Sequence, residues 1–323
     1  MAGLSDLSGS GPIHKKIYGT YSASEIRGDR VNTTLFVLAD SSAYQIRSID
    51  GKGLGFIAAR RILAGEKILE ERPILMGNMT KLKQKFGIIL AQLSSTKRQQ
   101  IRALYNAFPE DNDVGILVTN SYGLGPQGEL SGLFENLSRL NHSCRPNSER
   151  CWDHNREVET LYALRCIETG EELTVWYFDN AEMTRAERQG VMRTSWRFEC
   201  KCECCSLTGA ALEASDNRRA FIKKVEELVP YIPPHKIFDS VKKALMFLDE
   251  EGLGGSPRAH ICNTAYQMAL SMRNVEEAKS FANEGYIQYL LATGSTSRWT
   301  KQMLDHVENP TVHMIWNPLR STV

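Results

Sequence analysis

The hydrophobic pattern divides this chain into two stretches of different character. From about residue 44 to 178 the apolar positions come in short alternating runs interrupted by glycine. Tyr44-Gln-Ile46-Arg-Ser-Ile49 alternates and predicts a strand; Gly51-Lys-Gly53-Leu-Gly55 predicts a turn. Residues 56–59 predict a strand, and residues 62–70 a further turn and strand closed by Pro73. Residues 78–108 carry Leu82, Phe86, Ile89, Leu90 and Leu93 on one helical face. The glycines at 115, 123, 125 and 128 predict a loop-rich segment with a short apolar run at 116–118. Residues 133–140 predict one or two helical turns, and residues 148–152, 159–164 and 173–178 short strands. Thr184 with Glu187 three residues on predicts a capped helix over 184–196.

After residue 205 the period changes to 3.6. Residues 217–229, 235–250, 258–273 and 275–292 predict amphipathic helices, the second with Ile237, Phe238, Val241, Ala244, Leu245 and Leu248 on one face. Ala265, Tyr266, Ala278, Ala282 and Tyr286 are placed as in a tetratricopeptide-like hairpin. The tail holds an apolar run at 314–316 to which no element is assigned. The organisation expected is therefore α+β. It comprises a lead-in (1–39), a domain of short sheets (40–180) with a helical insert at about 78–130, a cysteine-rich segment (181–208) and an all-α region (209–323).

Apolar and charged fractions of 42% and 24% are those of a globular protein. The 39 Lys and Arg nearly balance the 38 Asp and Glu, so no global basic field for direct nucleic-acid binding is expected. The basic run at 81–85 reads as a solvated helix face. No apolar run reaches membrane-span length, and the polar N-terminus lacks the apolar core of a signal peptide.

Four of the eight cysteines lie within Cys200-Lys-Cys202-Glu-Cys204-Cys205. In a reducing compartment, clustered thiols favour metal over disulfides. Cys200, Cys202 and Cys205 form a C-x-C-x-x-C triplet, and tetrahedral Zn²⁺ takes a fourth thiolate, for which Cys144 is the candidate and Cys204 the competitor. Free buried thiols or a redox pair are the alternative. Cys151, Cys166 and Cys262 read as core thiols.

Four segments in order now coincide with a known pattern. They are the 51–55 turn; Asn141-His142-Ser143-Cys144-Arg-Pro146-Asn147; Gly170-Glu-Glu-Leu173-Thr-Val-Trp-Tyr177; and Trp196-Arg-Phe198-Glu-Cys200 leading into the cysteine cluster. Over residues 40–207 the chain resembles the SET-domain protein lysine methyltransferases, closest to the SET-and-MYND branch and fungal SET proteins. No cysteine or histidine array lies between residues 60 and 140, so a MYND finger is not expected.

The resemblance implies a SET β-clip fold with a zinc-binding post-SET segment. It implies methyl transfer from S-adenosylmethionine to a lysine of a histone or another protein, in the nucleus or cytoplasm. It places cofactor contacts at Gly51, Lys52, Gly53, Leu54, Asn141, His142 and Trp196, with Phe198 on the adenine and Asn120 a further candidate. Tyr177 takes the catalytic position. Trp196 stands where the branch carries a second pocket tyrosine, and this change could alter the number of methyls added, weaken catalysis or reshape the channel. The alternative for the whole chain is a weak or inactive SET-fold scaffold that binds peptides. By strand alternation, Trp176 should face away from the side that Tyr177 uses.

Overall fold

The computed structural model describes residues 43–125, 128–178 and 181–311. Three small sheets carry the first half. β1 (Tyr44–Ile49) and β2 (Gly53–Ala58) form a hairpin, with Ile49 opposite Gly53. Gly51 and Gly53 turn the chain in the left-handed region, at φ of 67° and 75°, where glycine carries no Cβ penalty. β10 (Glu172–Val175) lies beside β2, and β7 (Asn141–His142) pairs with β10 in parallel, giving the order β1-β2-β10-β7. Strands β3 (Lys67–Glu71), β8 (Ser148–Asp153) and β9 (Val158–Ala163) make a second sheet in the order β3-β9-β8. Phe56, Ile62, Leu137, Leu140, Leu173 and Val175 form a core shared by these elements.

The segment expected to be one helix over 78–108 is two, α1 (Met79–Gln92) and α2 (Ser95–Arg102). Ser94 ends the first by capping the second: its side chain accepts from the Lys97 N–H at 3.3 Å. The loop expected over 111–128 contains a third helix, α3 (Asp113–Asn120). Gly115 is not a breaker there. A Cβ on it would lie 2.1 Å from the Phe108 carbonyl oxygen, so glycine permits close approach of two backbones. Three strands too short for a periodic signal, β4 (Leu75–Gly77), β5 (Tyr122–Leu124) and β6 (Leu130–Leu133), join the insert's ends into the third sheet. A 3₁₀ turn at Leu137–Arg139 stands within the 133–140 stretch.

Helix α4 (Arg185–Ser195) has the expected capping box between Thr184 and Glu187. The helical half consists of α5 (Gly209–Leu228), α6 (Pro234–Glu250), α7 (Ser256–Ser271), α8 (Val275–Thr293) and α9 (Arg298–Glu308), each packed on the next. The first begins earlier than its period suggested, and the last was not anticipated. The six apolar positions read on α6 are all buried, as are Ala265, Tyr266, Ala278 and Ala282 of the α7–α8 hairpin. The 1–39 lead-in and the 314–316 run lie outside the described residues. No helix among the described residues is long and apolar enough to cross a membrane.

Candidate functional site

The parallel pairing of β7 with β10 sets Thr174 opposite Asn141 and Val175 opposite His142. The chain then leaves β10 so that the Tyr177 backbone N–H donates to His142 Nδ1 at 3.2 Å. A backbone amide only donates, so Nδ1 is the acceptor nitrogen and Nε2 carries the proton. Nε2 lies 3.4 Å from Cys144 Sγ, to which it donates. Burial pushes the imidazole down to about 3, which keeps it neutral.

A cavity of about 830 Å³ opens at this junction. Its lining includes Gly51, Lys52, Gly53, Leu54, Asn120, Asn141, His142, Tyr177, Trp196 and Phe198, so every residue named from the motifs as a cofactor or catalytic candidate borders one space. The volume lies within the range of small-molecule sites. Asn141 Nδ2 donates to Leu54 O at 3.3 Å and to Glu172 Oε1 at 3.0 Å. Lys52 Nζ pairs with the other oxygen of Glu172 at 2.6 Å. Gly55 makes room for this arrangement, since a Cβ there would lie 2.5 Å from Asn141 Nδ2. Both amide hydrogens of Asn120 are engaged, with Tyr105 O and Ile116 O at 2.7 Å, so Oδ1 is what it offers a ligand.

The opposite wall is aromatic. Arg197 adopts φ of 57°, uncommon for a non-glycine residue, and the neighbours on either side of it, Trp196 and Phe198, both border the cavity. Arg197 is held by Glu110 and by its guanidinium stacked 4.4 Å over Phe108. Trp196 lies 5.3 Å from the Tyr177 ring, and its indole N–H donates to Thr119 O at 3.1 Å. Phe198 meets Tyr177 edge-on at 6.4 Å. The Tyr177 hydroxyl donates to Leu140 O at 2.8 Å, and burial raises its pKa well above the ordinary value of 10.

A larger cleft of about 1410 Å³ runs between the β8–β9 sheet and helices α5 to α9. Its lining includes Arg150, Tyr162, Glu182, Glu226, His260 and Trp299. Among the described residues, Tyr177 alone borders both the cavity and the cleft. Trp176 also borders the cleft and packs on the helical core, while Tyr177 packs on the core of the sheets.

Beside the cavity, the sulfurs of Cys144, Cys200, Cys202 and Cys205 lie within 4.8 Å of one another. Cys144 and Cys205 are 3.5 Å apart. Four thiolates at about 2.3 Å from a tetrahedral zinc have edges of about 3.8 Å, so the donor set and its spacing fit such an ion. The hydrogen bond with Cys144 holds Cys202 well below the usual thiol range, while bonds to Cys200 and Cys202 push Cys144 up. Cys204, the competing candidate, is not one of this close set, and Arg188 Nη2 donates to its sulfur at 3.3 Å. Cys262 is buried in the helical core, and Cys151 and Cys166 are half-buried.

Several participants were not singled out from the sequence. Glu172 stood inside the 170–177 motif but was not named as a site residue. Tyr105 lines the cavity from the loop after α2, with no motif to mark it. Glu251, wholly buried beneath α5, had no local signal at all.

Comparison with known proteins agrees with this geometry. Residues 53–178 match the SET domain family. The chain is 28% identical over 282 residues to the histone-lysine N-methyltransferase set5 of Schizosaccharomyces pombe, covering 85% of this chain and 87% of that protein. It is 39% identical over 105 residues to human SMYD3, a histone-lysine N-methyltransferase, covering 30% of this chain and 24% of that one. It is 39% identical over 79 residues to mouse SMYD5, a protein-lysine N-trimethyltransferase, covering 24% and 19%. The likeness to the SET domain spans residues 53–178, and the likeness to the fungal relative spans most of the chain.

Proposed function

We propose that this protein transfers a methyl group from S-adenosylmethionine to the side-chain nitrogen of a lysine in a protein substrate, a histone or another protein of the nucleus or cytoplasm. The observation that carries this reading is Tyr177 as the one described residue bordering both the small cavity and the large cleft. A transferase needs two reactants to meet at one point from separate sites, and alignment there removes much of the entropic barrier.

The cavity suits a ligand with an amino-acid end and a flat aromatic end. Lys52, held by Glu172, offers a cation for a carboxylate; Asn120 Oδ1 offers an acceptor for an ammonium. Phe198 offers an aromatic face. When bound, the cofactor supplies a methyl group on a sulfonium. The residues around Tyr177 orient the acceptor and exclude water. A free lysine has a pKa of about 10.4 and is mostly protonated at neutral pH. Apolar walls from Trp196, Phe178 and Tyr177 disfavour the ammonium and so favour the nucleophilic amine. Because the Tyr177 proton is committed to Leu140 O, its oxygen turns lone pairs to the site and accepts from the amine N–H. Tyr177 therefore positions the amine and does not act as a base. Trp196, with its N–H committed to Thr119 O, supplies a wall and no second hydroxyl.

The four clustered cysteines are read as ligands of one structural zinc. A closed tetrathiolate site does not activate water. Here it would tie residue 144 to the 200–205 loop and so hold Phe198 against the cavity.

Calorimetric titration of S-adenosylmethionine, followed by transfer of labelled methyl to histones and to a protein extract, tests the proposal. Saturable one-to-one binding and Tyr177-dependent transfer are expected. Absence of binding would overturn it, and binding without transfer to any protein would leave a scaffold.

A further inference from the structure

We propose that Arg188 is the counter-cation of a dianionic tetrathiolate metal centre and that Arg219 ties this centre to α5, so that the metal and the helical half retain each other. This rests on the reading of Cys144, Cys200, Cys202 and Cys205 as metal ligands.

The argument is one of charge. Arg188, on α4, is wholly buried, and a guanidinium cannot shed its proton. Nη1 donates to Met183 O, and Nη2 lies 3.3 Å from Cys204 Sγ and 3.9 Å from Cys205 Sγ. Its Nε has no hydrogen-bond partner, and among the described residues no carboxylate pairs with it. Burial of an uncompensated cation is costly, so the compensating charge must lie close by. The cysteine cluster is what lies there.

Arg219, on α5, is equally buried and reaches the same place from the helical side. Nη2 donates to Cys144 O at 3.2 Å and lies 3.6 Å from Cys204 Sγ. Nη1 donates to Ala181 O at 3.0 Å, and Nε to Glu251 Oε2 at 3.0 Å. Glu251 also receives Arg145 at 3.2 Å and Arg218 at 2.6 Å, so one carboxylate serves three guanidiniums. Arg218 also pairs with Glu250 at 3.4 Å, so two carboxylates serve Arg145, Arg218 and Arg219, and among the described residues none serves Arg188. Four neutral thiols would leave the Arg188 charge uncompensated. Four thiolates around a divalent ion leave a net negative charge, which offsets it. Arg219 is moreover a direct strut from the helical half to the backbone of a ligand residue, Cys144.

The test uses the full-length protein. Metal content is measured first, because a wild type without metal would sink the ligand reading itself. Metal release to a chelating dye is then timed for wild type, Arg188→Met and Arg188→Lys. Partners of this kind are worth about 10- to 100-fold in metal affinity. Arg188→Met should release metal about 10-fold faster or more, and Arg188→Lys should recover part of that loss because it restores charge. Wild-type release from Arg188→Met would overturn the proposal while leaving the metal site intact. Should that variant fail to fold, hydrogen exchange on wild type decides. Chelation should deprotect α5 around Arg219 while α1, remote in the insert, keeps its protection. Unchanged protection of α5 would overturn the coupling.

Discussion

The Tyr177 hydroxyl donates to the Leu140 carbonyl at 2.8 Å. Leu140 immediately precedes the 141–144 motif, so the side chain after β10 is clamped to the chain entering β7 across a sequence gap of 37 residues. The clamp fixes the ring and directs its proton away from the reacting centre. Tyr177→Phe removes the clamp and the acceptor oxygen together. Turnover should fall by about 100-fold, typical for loss of one positioned polar group at a reacting centre, while calorimetric affinity for S-adenosylmethionine stays within about twofold.

The same clamp sets a pH dependence. Burial holds Tyr177 well above 10, so it stays protonated at and below neutrality and through mildly alkaline pH. Turnover should rise with pH as the substrate amine loses its proton, and the apparent pKa should be the same in wild type and Tyr177→Phe. A shift of that pKa in the variant would show that Tyr177 is the titrating base.

Gly55 faces Asn141 from β2. A methyl group there would sit 2.5 Å from Asn141 Nδ2 and 2.3 Å from Ile49 Cδ1. Gly55→Ala should displace the Asn141 amide and weaken cofactor binding about tenfold, the worth of one good hydrogen bond. Unaltered affinity by titration would remove Asn141 from the binding set.

Glu159 is buried on β9, and desolvation pushes its carboxyl up to about 7 despite Arg150 at 3.0 Å. A folded-state value raised above the unfolded 4.5 means folding favours the protonated form. The stability this gives is fully present below pH 4.5 and is lost as pH rises through 7. Relative to wild type, Glu159→Gln should therefore gain up to about 3 kcal/mol between pH 4.5 and 8, read from urea unfolding.

Cys202→Ser should lower the bound zinc from one equivalent toward none and destabilise the protein by about 4 kcal/mol, the range for loss of a structural metal. Elemental analysis and thermal unfolding with and without added zinc measure both. A wild type that is metal-free and equally stable would refute the assignment.

Much of this was readable because the signals are local. The capping box at Thr184 and Glu187 and the α6 stripe each depend on a few neighbouring residues, and each lies where its pattern put it; of the 51–55 glycine turn, only Gly51 and Lys52 stand in the turn, with Gly53 to Gly55 already in β2. The failures have equally physical causes. Gly115 read as a breaker because its sequence could not show that Phe108 O would pack against it. The break at Ser94 was hidden by an apolar period that continues across it. Strands of three or four residues, such as Leu75–Gly77, carry no period to detect.

By itself the sequence determined the types of element, the four motifs and the cysteine spacing, since these follow from side-chain chemistry over short distances. Only the tertiary structure decided that residues 51–54, 141–142 and 177, with Trp196 and Phe198, border one cavity. That convergence needs the parallel β7–β10 pairing and the left-handed turn at Arg197, neither of which is encoded within any single motif. It also decided that Tyr177 stands between two spaces, and that Arg188 and Arg219 meet at Cys204. Burial and charge balance are properties of the packed whole. A buried guanidinium reads in sequence like any surface arginine until the fold withdraws water from it.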